Sequence, residues 1–236
     1  GIAAEVARLK VLGPAGSTVR LTIQREGESE LLEFEIVRAR ITIASASGEM
    51  LENDIAYVQV TTFGSKTTPE LLATLKELMD QNPRGIILDL RNNGGGFLQT
   101  SVEVTSQFMA EGVVLYEQYG NGNRDTFTAI PGGLATDTDI PMIVLVNEGS
   151  ASASEIVAGA LQASGKGSFH IWVPLSDDYG AVRITIAKWL TPNENTIHEI
   201  GLTPDYEVDL TPEDRQAGRD PQLDEAVRIL LEMIGQ

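Results

Sequence analysis

Two stretches of the 236-residue chain combine residue types suited to attacking or stabilising a polarised carbonyl. One is Asn147-Glu148-Gly149-Ser150-Ala151-Ser152-Ala153-Ser154-Glu155, which follows the apolar run Met142-Ile143-Val144-Leu145-Val146. Alternating serine and alanine at a strand-to-helix junction places hydroxyls and unbonded N–H groups where an oxyanion is stabilised. The same residues also read as a capping box, Ser152 at the N-cap and Glu155 three residues on, which needs no chemistry at all. A serine nucleophile requires a base, and the candidates nearby in sequence are Lys166 and His170. No Gly-x-Ser-x-Gly elbow surrounds Ser152. The other stretch is Asn92-Asn93-Gly94-Gly95-Gly96. Three glycines let backbone N–H groups approach a ligand closely, with a helix N-terminus behind them, but such a run is more often an ordinary tight turn. No Gly-Lys-Ser/Thr follows, so this is not a phosphate loop.

Both stretches lie at carboxyl ends of predicted buried strands, where open α/β sheets place their ligands. Gly85–Leu90 and Pro141–Val146 are mostly apolar, the pattern of strands covered on both faces. Ile55–Val60 reads as a further strand, and helices are predicted over Pro69–Asp80 with Thr68 as cap, Leu98–Met109 and Ala151–Ala163. Val113–Tyr116 reads as a short strand and 119–138 as turn-rich. This strand–helix alternation implies an α/β core. Upstream, Ala3–Leu12 has helical periodicity that stops at Gly13-Pro14-Ala15-Gly16, and 18–37 alternates as a hairpin. One helix and one hairpin bury little, so they read as part of a small module. From Asp220-Pro221 onward an amphipathic helix carries Leu223, Val227, Leu230 and Leu231 on one face.

Composition narrows the function. With 34 acidic and 17 basic side chains the net charge is −17, which repels phosphate backbones and anionic headgroups, so nucleic-acid and membrane-surface roles are disfavoured. The absence of cysteine excludes thiol catalysis and cysteine-ligated metal, and two histidines, His170 and His198, leave little for a histidine metal site. No apolar run approaches the ~18 residues of a spanning helix, so stable membrane insertion by this segment is not expected. No charged-then-apolar leader opens it.

Five segments recur in a familiar order: Asp89-Leu90-Arg91-Asn92-Asn93-Gly94-Gly95-Gly96, Asn147 to Ile156, Gly165-Lys166-Gly167-Ser168, Thr185 to Asn193, and Gly201-Leu202-Thr203-Pro204-Asp205. Together they resemble the carboxyl-terminal processing peptidases, or tail-specific proteases, and the likeness runs nearly end to end. Gly13-Pro14-Ala15-Gly16, followed by Val19, Leu21, Thr22 and Ile23, is similar to the last helix and strand of that family's PDZ domain. The resemblance implies an α/β, mixed-sheet protease core with a ClpP/crotonase-like layout, a partial PDZ domain and extra β-strands. Its expected divisions are 1–39 for the C-terminal part of the PDZ-like domain, 40–210 for the serine protease core, and 211–236 for a C-terminal helical tail packing on the core.

Carried over residue by residue, the resemblance makes Ser152 the nucleophile and Lys166 its general base. The oxyanion hole would use the N–H of Ala153 and of a glycine in 94–96, with Gly95 favoured. Such a dyad needs no metal or cofactor, because a neutral lysine amine deprotonates serine once burial lowers its pKa from about 10.4. The implied substrates are polypeptides with nonpolar, unstructured C-termini. The implied setting is extracytoplasmic, bacterial periplasm or cell envelope, and a homo-oligomer is left open.

Two departures stand out. His170 occupies the place of a glutamine that orients the lysine in the family; it can take over that hydrogen bond or be a plain strand residue. More seriously, only thirteen residues separate Ser152 from Lys166, roughly eleven fewer than the family pattern. A helix from Ser152 to Ala163 climbs about 16 Å. Three extended steps return at most about 10 Å and a lysine arm adds about 6 Å, so the dyad barely closes. Either a segment is lacking between Gly165 and Lys166 in the chain as written, or the chain is a catalytically inactive peptide-binding module.

Overall fold

The computed structural model describes residues 4–25, 27–40, 43–165, 167–170, 187–195 and 202–235. It divides into two compact units, Gly1–Ile43 and Ala44–Gln236. The first contains helix α1 (Ala4–Val11) and an antiparallel hairpin of β1 (Thr18–Ile23) and β2 (Leu32–Val37), in the register Thr18↔Val37 to Ile23↔Leu32. Arg38 joins the pieces: its Nε donates to the Val11 carbonyl at 2.7 Å and a terminal nitrogen donates to Ser17 Oγ at 2.8 Å. Leu9, Leu12, Leu31 and Val37 each remain more than half exposed, so this unit has little core of its own.

The second unit is built on a five-stranded sheet of order β3-β4-β5-β8-β9. Its members are β3 (Ala46–Leu51), β4 (Ile55–Val60), β5 (Gly85–Asp89), β8 (Met142–Leu145) and β9 (Gly167–His170). Only β3 runs antiparallel; β4, β5, β8 and β9 are mutually parallel. Helices α2 (Thr67–Met79), α3 (Leu98–Thr105) and α4 (Ala153–Ala163) provide the connections. Between α3 and β8 lie β6 (Val113–Tyr119) and β7 (Arg124–Thr128), which form a second sheet with β10 (Ala187–Leu190) in the order β10-β6-β7. After these come α5 (Pro212–Ala217) and α6 (Pro221–Ile234).

Side chains alternate across the sheet. Ile86 and Leu88 of β5 join the larger core with Leu71, Leu75, Val157 and Leu161. Ile87 faces the other way and, with Ile55, Ile143 and Leu145, packs on Ala226, Ile229 and Leu230 of α6. This double cover is why β5 and β8 read as unbroken apolar runs. Helix α6 is started by Asp220, whose carboxylate accepts the Leu223 N–H at 3.1 Å, and ended by Gly235 in the left-handed region.

The expected helix at Pro69 begins two residues earlier. Thr67, not Thr68, ties its start, accepting the Gly64 N–H at 2.9 Å and donating to the Thr62 carbonyl, while Thr68 Oγ1 donates to Glu103. The stretch 119–138, expected as turn, contains β7. Gly122 takes φ +87 at the tip of the β6–β7 hairpin, within Asn121-Gly122, a hairpin signal present in the sequence.

Candidate active site

Two loops leave the carboxyl ends of adjacent strands β5 and β8 and are sewn together there. Leu90 N–H donates to the Leu145 carbonyl at 2.8 Å, and Ser150 Oγ returns to the Leu90 carbonyl at 2.8 Å. Asn92 and Asn147 pair reciprocally: Asn92 N–H donates to Asn147 Oδ1 at 2.7 Å, and Asn147 Nδ2 to Asn92 Oδ1 at 3.0 Å. The Asn93 carbonyl accepts from Ala151 N–H at 3.0 Å and from Ser154 Oγ at 2.7 Å.

Of the three serines in the Ser-Ala-Ser-Ala-Ser run, Ser150 and Ser154 thus donate to the backbone. Ser152 stands between them, half-buried, on the last residue before α4. Its backbone holds φ +57 and ψ −112, a region natural to glycine and costly for serine by about 1–3 kcal/mol. Sharp strand-to-helix turns that present a nucleophile have this kind of strain, so the backbone makes an elbow without the glycine-flanked motif. The capping contact also exists: Glu155 Oε2 accepts the Ser152 N–H at 2.6 Å. The capping contact and the strained torsions therefore coexist at one residue.

Glycine is obligatory opposite Ser152. A Cβ on Gly95 would lie 2.7 Å from the Ala151 carbonyl oxygen, 2.9 Å from Ala153 N and 2.9 Å from Ser152 Cβ. One on Gly96 would lie 2.2 Å from the Phe63 carbonyl oxygen. Both residues also have positive φ, +98 and +151. The Ala153 N–H, at the first position of α4, has no acceptor among the described residues. The Gly95 N–H, favoured from sequence as an oxyanion donor, is bonded to the Asn93 side-chain oxygen at 2.9 Å. The Gly95 carbonyl is held by Phe63 N–H at 3.0 Å and Thr62 Oγ1 at 3.3 Å. A planar trans peptide then sends the Gly96 N–H in the opposite direction, away from Phe63.

Beneath the loops is a buried charge cluster. Asp89, 1% exposed, accepts from Tyr57 OH at 2.7 Å and from Arg91 at 2.6 Å. Arg91 reaches onward to both carboxylate oxygens of Asp220, at 2.8 Å each. Burial opposes the charge on Arg91, yet the hydrogen bonds it donates to Asp220 and Asp89 outweigh burial and raise its pKa. Burial also raises the Asp220 pKa, but Arg91 and the Leu223 N–H more than offset it and hold the carboxyl below its ordinary value. Tyr57 is pushed up, first by burial and then by Asp89. The two carboxylates and one guanidinium tie the end of β5 to the start of α6 beneath the loops.

Of the residues expected to carry chemistry, the structure brings Ser152, Ala153 and the glycines together. Lys166 and His198 lie outside the described residues. The backbone of His170 is in β9, level with Leu145, at the carboxyl end of the sheet; β9 starts at Gly167, level with Met142. Asn93 and Asn147 fall within the two stretches read from sequence, and Asp220 opens the last helix, but none of the three carries a role in that reading. The doubled asparagine before the glycines was the available signal for Asn93, whereas Asp220, 129 residues from Arg91, gave none. Among the described residues no group of three or more His, Cys, Asp or Glu side chains could hold a metal, and no helix is long and apolar enough to cross a membrane.

A mostly parallel sheet thus presents, at adjacent strand ends, a strained serine at a helix N-terminus with a glycine loop against it. Residues 54–208 match the model for peptidase family S41, and the chain belongs to that family. It is 38% identical over 231 residues to a carboxy-terminal-processing protease of Bartonella bacilliformis, covering 91% of this chain and 52% of that one. With a carboxyl-terminal-processing protease of Synechocystis it shares 34% identity over 218 residues, 86% of this chain and 50% of the other. The solved photosystem II D1 C-terminal processing protease is 29% identical with a TM-score of 0.63, over 84% of this chain and 57% of that one. The chain thus spans about half the length of the curated relatives it matches.

Proposed function

We propose that this chain is the catalytic part of a serine endopeptidase that cleaves polypeptides at or near nonpolar, unstructured C-terminal tails. The observation that carries this reading is Ser152: strained backbone, helix N-terminus behind it, and Gly95 pressed against it. Ser152 Oγ attacks the scissile carbonyl while the neutral amine of Lys166 takes its proton. The tetrahedral oxyanion is stabilised by the Ala153 N–H together with a glycine-loop amide. Because Asn93 occupies the Gly95 N–H, the loop donor in this scheme is Gly96. Collapse expels the amine, which takes up the proton from Lys166, and leaves an acyl ester on Ser152; water then releases it. His170 orients Lys166 in the place of the family's glutamine. The scheme draws on no metal or cofactor.

Residues 1–39 form, in this proposal, the C-terminal part of a PDZ-like domain that binds a substrate tail as an added strand. Residues 40–210 are the protease core in a ClpP/crotonase-like layout, and 211–236 its helical tail. The extracytoplasmic setting follows from the family resemblance.

The test is cleavage of an unfolded protein with a nonpolar tail. Ser152→Ala and Lys166→Ala should each abolish product formation while the melting temperature stays within about a degree. Undiminished cleavage by Ser152→Ala would sink the assignment. Capture of the tail with no product from the unaltered chain would support a non-catalytic binding module, which the thirteen-residue spacing from Ser152 to Lys166 favours.

A further inference from the structure

Asn93 is a buried side-chain amide within the glycine loop, with no exposed surface. Its Nδ2 donates to the Val60 carbonyl at the end of β4, at 2.8 Å, and its Oδ1 accepts the Gly95 N–H at 2.9 Å. Its backbone carbonyl accepts from Ala151 N–H and Ser154 Oγ, which lie one residue before and two residues after Ser152. A single residue therefore joins three pieces: the β4 terminus, the middle of the glycine loop, and both flanks of the serine. The neighbouring Asn92 is exposed and pairs with Asn147 across the loop mouths.

The side-chain chemistry is restrictive. The site requires a donor and an acceptor on one planar group at this reach. An ionised aspartate has no donor to offer Val60, leucine has neither function, and glutamine is one methylene too long. Thr105, also buried, bonds instead to the carbonyl four residues back in its own helical turn.

Because Asn93 holds the Gly95 N–H while Phe63 and Thr62 hold the Gly95 carbonyl, that residue cannot rotate, and the following N–H of Gly96 is fixed. Through its carbonyl Asn93 also fixes the turn that ends in the Ala153 N–H. We infer that Asn93 is a positioning residue for the reaction, setting the separation and direction of the two oxyanion-hole donors. The inference rests on the serine-peptidase reading above.

The experiment compares the unaltered chain with Asn93→Leu, Asn93→Asp and Ser154→Ala. It measures kcat per fluorophosphonate-titrated site, KM for a nonpolar-tailed peptide, and inhibition by the matching peptide boronate. A lost hole alignment should lower kcat per titrated site by about 10²-fold in Asn93→Leu and Asn93→Asp, the scale of removing one hole donor. Boronate affinity should weaken in parallel while KM moves by less than about threefold, because only the tetrahedral state uses the hole. If both Asn93 variants fail to fold, Ser154→Ala, which cuts one tie only, should still lower kcat about fivefold with KM unchanged. Unchanged kcat per titrated site, or equal weakening of KM and boronate affinity, overturns the inference. An unaltered chain that is neither labelled nor active overturns the peptidase reading, and this inference with it.

Discussion

Ser152 adopts torsions that glycine would adopt freely, so its side chain is kept at that position against the local backbone preference. Ser152→Gly should therefore raise stability by about 1 kcal/mol while eliminating cleavage, seen as a melting temperature a few degrees higher. Ser152→Ala keeps the strain and should melt like the unaltered protein; equal melting of all three would show that the torsions carry no strain. Gly95 makes the opposite demand. An alanine there would place its Cβ within 2.9 Å of backbone atoms on either side of Ser152, and at φ +98. Gly95→Ala should lose catalysis and at least about 1–3 kcal/mol of stability, read by denaturant titration. At this scale the two loops were legible from sequence by their composition, while the roles of the serine and the glycines came only from the family resemblance. What was not legible is which N–H groups are left over, because that depends on the direction of the Asn93 side chain.

Between elements, a charged clamp runs from the end of β5 to the start of α6. Arg91 is 11% exposed and Asp89 is 1% exposed, so removing the guanidinium leaves a buried carboxylate without its counter-charge. Arg91→Met should cost about 3–5 kcal/mol and loosen the glycine loop that follows it. Asp220 sets a pH signature. Its native pKa lies below its unfolded value, so its contribution is complete above about pH 4 and is lost as pH falls through the depressed native value. Stability should thus fall on acidification below about pH 4, and Asp220→Asn should flatten part of that fall; an identical acid profile for the variant would deny the clamp this role. On the apolar side, Leu230→Ala empties a fully buried position between α6 and the sheet, and should cost about 2–5 kcal/mol. The amphipathic stripe announced α6 in the sequence. The polar end of its attachment did not announce itself, since Arg91 and Asp220 look like ordinary surface charges until the fold brings them to 2.8 Å.

For the whole molecule, 17 excess negative charges act on every state of the chain. Compact states feel that repulsion most, so raising the ionic strength from about 0.01 M to 0.15 M, which shortens screening from about 30 Å to 8 Å, should raise the melting temperature. A lower melting temperature in salt would instead mean that attractive ion pairs dominate. The α/β class, the parallel core strands and their double cover were readable because apolar runs bounded by glycine and helix caps leave few alternatives. The three-stranded second sheet was not, because β7 (Arg-Asp-Thr-Phe-Thr) carries one large apolar residue and pairs through its backbone. Membership of peptidase family S41 agrees with the ordered motifs, and the central claim is that Ser152 is the nucleophile of this chain. The most direct test is to treat the folded protein with a fluorophosphonate and map the adduct by peptide mass spectrometry. A single adduct on Ser152, absent after heat denaturation and absent in Ser152→Ala, is the predicted result. Labelling on another serine, or none while the unaltered chain still cleaves its substrate, would contradict it.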